Sequence, residues 1–296
     1  MQQALPRRKN PVKINVFDGL SAAHVCGARF QRKDFPMSVL IVLVVLCVCL
    51  AASTVGAICG IGGGVIIKPV LDAMQIMTVQ QVSFLSGCTV LCMSAYSVFS
   101  SARRDKSSLE TATILPLGIG AALGGLAGKL LFQQISRGSS VAAFVQAACL
   151  LLLLLGTLVY TLFEKRIRTH AVKSPLAGAL IGLFLGFFSS FLGIGGGPFN
   201  LVILSFFFSM DTKTAARHSL CIILVSQAVS VLYSFVSASV PPVSLLMLLV
   251  MVAGGIGGGV LGRRINRRLS GEDVHKLFIG LTVVIMGICV YNMLCA

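Results

Sequence analysis

Seven long stretches of this chain contain no Asp, Glu, Lys or Arg: residues 37–67, 73–102, 111–128, 138–163, 174–210, 218–262 and 277–296. Each holds one or two runs of about 20 apolar residues, the length that crosses a hydrocarbon core of about 30 Å at 1.5 Å per residue. Within lipid only helices and closed barrels satisfy their own backbone polar groups. The alternation of a membrane barrel is absent, so the runs predict an all-α polytopic membrane protein. Eight spans are expected, at about 37–59, 79–102, 111–132, 141–163, 174–193, 213–237, 243–263 and 275–295. Only 11% of residues are charged, against about 25% in a soluble domain, too few to cover a water-facing surface.

The chain repeats itself. Gly60–Ile61–Gly62–Gly63–Gly64 recurs as Gly193–Ile194–Gly195–Gly196–Gly197, 133 positions on, and the same shift superimposes Met77 on Met210, Ser86 on Ser219 and Cys88 on Cys221. Gly120, Gly124 and Gly128 recur 134 positions on as Gly254, Gly258 and Gly262. Ordered matches over such a length predict two four-span repeats, 37–163 and 174–296, joined by a basic linker at 164–173. Residues 1–36 form a polar, basic tail outside both copies, with Met37 as an alternative start. The repeat also argues against reading the first span as a cleaved signal peptide, because that span has an equivalent deep in the chain.

The element after each GIGGG, about 65–77 and 198–210, is too short to cross: a half-helix of about ten residues. Clustered glycines break a helix, and irregular backbone at membrane depth is tolerated only where protein buries it or it lines a cavity. The half-helix beyond the break presents orphan N–H donors and a partial positive charge. Pro198 suits a first helical position, where no N–H is needed. Interruptions at matching places in two repeats are the sequence pointer to a transporter's midplane site, and converging helix N-termini suit an anion. Candidate substrate-binding residues are therefore Gly62, Gly63, Gly64, Gly195, Gly196 and Gly197. Ser86 and Ser219 join them from the following spans, as do Arg217 and His218, which open the sixth span. Arg217 could balance an anion's charge and His218 could bond it or carry a proton. As an alternative, the pair sits at the interface and the serines bond their own helix carbonyls. Lys68 either enters the half-helix site or snorkels to the surface, and Asp72 and Asp211 are expected at water-facing ends. The triplets Gly120/Gly124/Gly128, Gly254/Gly258/Gly262 and Gly178/Gly182/Gly186 read as packing faces, with Cys49, Ser53 and Ala57 on the first span to match.

These motifs resemble the sulfite exporter TauE/SafE family, also called the toluene sulfonate uptake permease family. The resemblance rests on GIGGG closing the first span of each half, on Pro69–Val70–Leu71 after the first copy, and on Ala215–Ala216–Arg217–His218–Ser219–Leu220 opening the next span of the second. It covers about 37–296 and implies a secondary carrier of small anions, often sulfite, sulfonates or other organosulfur compounds.

Other classes fit less well. The formal net charge of +15 lies beside apolar spans, which suits lipid headgroups and membrane orientation rather than nucleic acid. The ten cysteines include no CxxC pair, and no His/Cys cluster has zinc spacing; they read as packing residues, and no metal or cofactor is expected. The full spans contain no carboxylate, and neither GxSxG nor HExxH occurs, so a membrane-embedded enzyme would depend on loop groups. A non-transporting scaffold or subunit is the remaining alternative. A carboxylate proton relay does not fit; His218, sodium on unwound carbonyls and uniport all stay open as coupling modes, as does the oligomeric state. With eight alternating crossings, Arg263, Arg264, Arg267, Arg268 and Lys276 fall on the face opposite the other basic loops. That conflicts with the positive-inside rule and leaves orientation undecided.

Overall fold

A computed structural model of the chain describes residues 39–102, 111–136, 141–172, 174–266 and 268–295. Among these, charge-free apolar runs become helices and no strand forms. The helices are α1 (Val39–Cys59), α2 (Gly64–Met74), α3 (Val79–Ala102), α4 (Thr111–Ser136), α5 (Val141–Phe163), α6 (Pro175–Leu192), α7 (Pro198–Phe208), α8 (Thr212–Val236), α9 (Leu245–Asn266) and α10 (Gly271–Cys295). Eight are long and apolar enough to cross a membrane; α2 and α7, of 11 residues each, are not. Large apolar side chains such as Leu152, Leu176, Val236 and Leu245 are exposed, as lipid contact requires and water does not favour. The expected tail at 1–36 lies outside the described residues.

Two glycine seams hold the bundle together. A Cβ on Gly120, Gly124 or Gly128 of α4 would strike the carbonyl oxygen of Ala179, Leu183 or Phe187 on α6. From the other side, Gly182 and Gly186 of α6 lie against the Leu117 and Ala121 carbonyls of α4. In the second seam, Gly254, Gly258 and Gly262 of α9 meet Cys49, Leu50 with Ser53, and Thr54 with Ala57 on α1. These are the most extensive helix contacts in the fold. Lipid supplies no hydrophobic drive between helices, so close backbone approach and dispersion must hold them. Each seam joins the first long helix of one half to the fourth helix of the other, tying the halves by exchange.

The seams also fix chain direction. Contacts advance together along α1 and α9 and along α4 and α6, so each pair is parallel. Helix α3 is parallel to α9 as well: Thr89 meets Gly255, Met93 meets Gly259, and Ser97 accepts from Arg263 at 2.5 Å. Hence α1 and α3 run the same way, and the segment between them carries the chain back to the face where α1 began, called face I here. The second half does likewise. Helix α8 is parallel to α4, Gly125 meeting Ser226 and Gln133 bonding Ser239 at 2.5 Å, so α6 and α8 share a direction. Simple alternation of eight crossings is therefore not the path taken: each half turns back once more than its long helices require. The two halves consequently run in opposite senses through the bundle.

Boundaries differ from the expected ones for local reasons. The half-helices stop at Met74 and Phe208, where Gln75 and Ser209 take left-handed conformations at φ 52. Helix α10 begins four residues early because Ser270 caps it: the Asp273 N–H donates to Ser270 Oγ at 3.2 Å, and Ser270 Oγ donates to the Asp273 carboxylate at 2.6 Å. Helix α9 runs on through Arg263 and Arg264, cations that a helix C-terminus favours.

Candidate functional site

The two GIGGG segments are breaks, and they meet. After α1 and after α6 the backbone passes through left-handed glycines, Gly62 at φ +77 and its equivalent Gly195 at φ +72. A β-carbon there costs about 1–2 kcal/mol. Each loop folds back on the end of its own helix, the Gly62 N–H donating to the Gly56 carbonyl at 3.2 Å and the Gly195 N–H to the Ser189 carbonyl at 3.3 Å. Helices α2 and α7 then start next to each other. A Cβ on Gly64 would strike the Ile194 carbonyl oxygen, and one on Gly197 would lie 3.1 Å from Val65 Cγ2. From this contact α2 leads to face I, where Gln75 approaches the end of α10 at Cys295. Helix α7 leads to face II, where α8 begins. Residues 61–65 and 191–201 are buried throughout. Two helix N-termini thus face one another in the closed middle of the bundle, and the first-turn amides of Gly64, Val65 and Phe199 have no backbone acceptor among the described residues.

The helices that meet here carry buried polar atoms without partners. Ser53 Oγ, fully buried, sits against Gly63; Ser83 Oγ belongs to a residue packed on Gly193; Ser86 Oγ and Asn200 Oδ1 are unpartnered and 0% exposed, and His218 Nε2 is unpartnered as well. An unsatisfied buried polar group costs about 1–3 kcal/mol, and three of these, on Ser53, Ser83 and Asn200, belong to residues packed on the glycine loops.

Of the expected site residues, the six glycines come together as described. Ser86 lies one turn before Val90, whose side chain packs on both Gly64 and Gly195. Ser219 lies one turn before Ile223, which packs on Gly196, and Ser219 Oγ accepts from Asn200 Nδ2 at 3.3 Å. His218 is 1% exposed and its Nδ1 lies 3.0 Å from the Thr214 carbonyl oxygen. Arg217 is half-buried near the face II end of α8, beside Ala216, which packs on Gly60. Lys68 does not snorkel: it is 3% exposed and pairs at 2.5 Å with Asp72, which is drawn inward from its expected water-facing position. Asp211 is exposed.

Sequence reasoning passed over several contributors. Asn200 is a polar residue inside an otherwise apolar half-helix, a signal that was present. Ser53 looked like a small packing residue, and it is one, since it meets Gly258 as well as Gly63. Gln146 and Asn266 brace the breaks by donating to equivalent carbonyls, Phe191 at 2.5 Å and Ile58 respectively.

Comparison with known proteins gives the family. The family model for the sulfite exporter TauE/SafE matches residues 45–289. The chain is 24% identical over 267 residues to the probable membrane transporter protein YunE of Bacillus subtilis (strain 168), covering 83% of this chain and 95% of that protein. No solved structure matches at a significant level. Eight membrane-length helices and a family match over most of its length make this chain a multi-pass membrane protein of the sulfite exporter TauE/SafE family of transporters.

Proposed function

We propose that the chain is a secondary carrier of small oxyanions, with sulfite, sulfonates or other organosulfur anions as substrates, and that one anion binds where α2 and α7 meet. The observation that carries this reading is the head-on approach of two half-helix N-termini, with the buried, unpartnered Ser53 Oγ and Asn200 Oδ1 beside the glycine loops. Orphan amides and two positive dipole ends favour negative charge, most strongly where water is excluded. Asn200, Ser53, Ser86 and Ser219 offer hydroxyl and amide donors for the oxygens of such an anion. Opposed repeats around a central site suit alternating access by rocking one half against the other. The repeat boundaries, 37–163 and 174–296, are part of the proposal, as is a carrier role in place of catalysis or scaffolding.

Orientation follows from the same path. Segments bordering face II carry fourteen Lys and Arg residues, whereas the three internal segments at face I carry one, Arg137. Applied to the segments between helices, the positive-inside rule makes face II cytoplasmic, and Arg263, Arg264, Arg267, Arg268 and Lys276 then share a face with the other basic loops. The coupling ion stays open between a proton on His218, sodium on unwound carbonyls and none.

The test is flux. Proteoliposomes of the wild type should take up radiolabelled sulfite or toluene sulfonate. The pair Gly63→Leu and Gly196→Leu, folded by circular dichroism, should not. Equal uptake by both would remove the site assignment.

A further inference from the structure

Lys129 of α4 is 8% exposed, and its ammonium lies 5.7 Å from the centre of the Phe132 ring. It has no ion pair among the described residues. It lines a small cavity with Ser83, Ser190, Gly193, Gln227 and Ser230, roomy enough for about one water. A lone cation costs about 2.5–3.5 kcal/mol at the centre of a membrane helix and less toward its ends, so a buried one without a carboxylate is kept for a reason. A structural lysine would be met by a carboxylate, as Lys68 is by Asp72. Lys129 shares its cavity instead with neutral groups: Gln227 and Ser190 already donate to Ser189 and Ser226, which leaves the Ser83 hydroxyl to turn a donor toward a bound anion. Ser83 Oγ, on a residue 6% exposed, has no partner and lines this cavity.

The position is specific. The cavity lies between the central glycine contact and face I, with Gly193 in its wall. The residue equivalent to Lys129 at a shift of 134 is Arg263, on the face II side. It donates to Ser97, the equivalent of Ser230, and stacks 5.1 Å from the Tyr96 ring. Lys129 and Ser230, which line one cavity, are thus the sequence equivalents of Arg263 and Ser97, which are bonded on the other side of the centre.

We infer that Lys129, with Ser83, forms a second binding station for a small oxyanion on the face I half of the route, with Arg263 as its counterpart toward face II. This rests on the anion-carrier reading. The test measures [35S]sulfite and toluene sulfonate transport in vesicles of known sidedness for wild type, Lys129→Gln, Lys129→Arg and Arg263→Gln. Loss of one charge-assisted contact should raise the face I KM of Lys129→Gln about tenfold or more. Lys129→Arg should stay near wild type, the face II KM should not move, and Arg263→Gln should show the opposite sidedness. Unchanged face I KM in a folded Lys129→Gln protein overturns the station and leaves the central site standing. Equal losses in the Gln and Arg variants, with lowered thermal stability, overturn it in favour of a packing role. A wild type that carries neither anion removes both readings together.

Discussion

Gly64→Ala adds one carbon where the two half-helices meet. The new Cβ would overlap the Ile194 carbonyl oxygen and Val90 Cγ2, and contact at about 3.5–4.0 Å is restored only by moving the loops apart by more than about 1 Å. One of the atoms in the way is backbone, so rotamer changes give no relief, and the upper part of the overpacking range applies, about 3 kcal/mol. Two controls separate crowding from conformation. Gly62→Ala meets nothing within 4 Å but requires φ +77, so it should cost about 1–2 kcal/mol from strain alone. Gly118→Ala, inside α4 with open space around it, should gain up to about 1 kcal/mol from helix propensity. The expected order of stability is Gly118→Ala, wild type, Gly62→Ala, Gly64→Ala. The ends lie about 4 kcal/mol apart, roughly a thousandfold in equilibrium. Unfolding in detergent, read as half-life at fixed temperature because membrane proteins often unfold irreversibly, would give the order. A Gly64→Ala protein as durable as Gly118→Ala would mean the two glycine loops do not touch.

Other consequences follow from the same packing. Asp72→Asn leaves Lys68 buried without its partner and should cost about 3–5 kcal/mol, whereas Lys68→Met combined with Asp72→Leu should be near neutral, a contrast that a double-mutant cycle in thermal unfolding would read. Gly124→Leu and Gly258→Leu, one in each seam, should each abolish folded monodisperse protein on size-exclusion chromatography, since backbone carbonyls block the added side chain. Asn200→Asp, which sets a carboxylate beside Ser219, should cut sulfite flux at least about tenfold through like-charge repulsion, with Asn200→Ala losing less, as measured by initial uptake rates. In a cysteine-free background, Ser237→Cys should react with a membrane-impermeant maleimide from outside intact cells and Glu272→Cys only after lysis; the reverse pattern would invert the assigned orientation.

Much of the fold could be read from where charges are missing. A charge-free run of 20 residues has few alternatives in lipid, which is why the eight spans emerged within a few residues of their observed ends. The half-helices were legible from three adjacent glycines followed by a short apolar run. Chain direction was not, because a break shows that a helix stops and says nothing of where the next one points. Only the contacts of α3 with α9 and of α8 with α4, added to the two glycine seams, show that each half turns back, and those contacts join residues about 60 to 200 positions apart. The contact between the two glycine loops was legible in the repeated motif, and Ser86 and Ser219 stand 133 positions apart like the glycines. Asn200 has Ile67 as its counterpart, and Ser53 has Gly186, so a search for matching residues passes over both. Lys129 escaped for a different reason: a lysine near a helix end looks solvated until the packing of α4 against α8 encloses it.

The central claim is that one anion sits between the first turns of α2 and α7. An experimental structure determined in selenite, with selenium located by anomalous scattering, tests it directly. The account predicts a selenium peak between the two first turns, with selenite oxygens within hydrogen-bonding distance of the amides at Gly63–Val65 and Gly196–Phe199. Selenite bound elsewhere in the protein, with those amides turned away from it, would contradict the account.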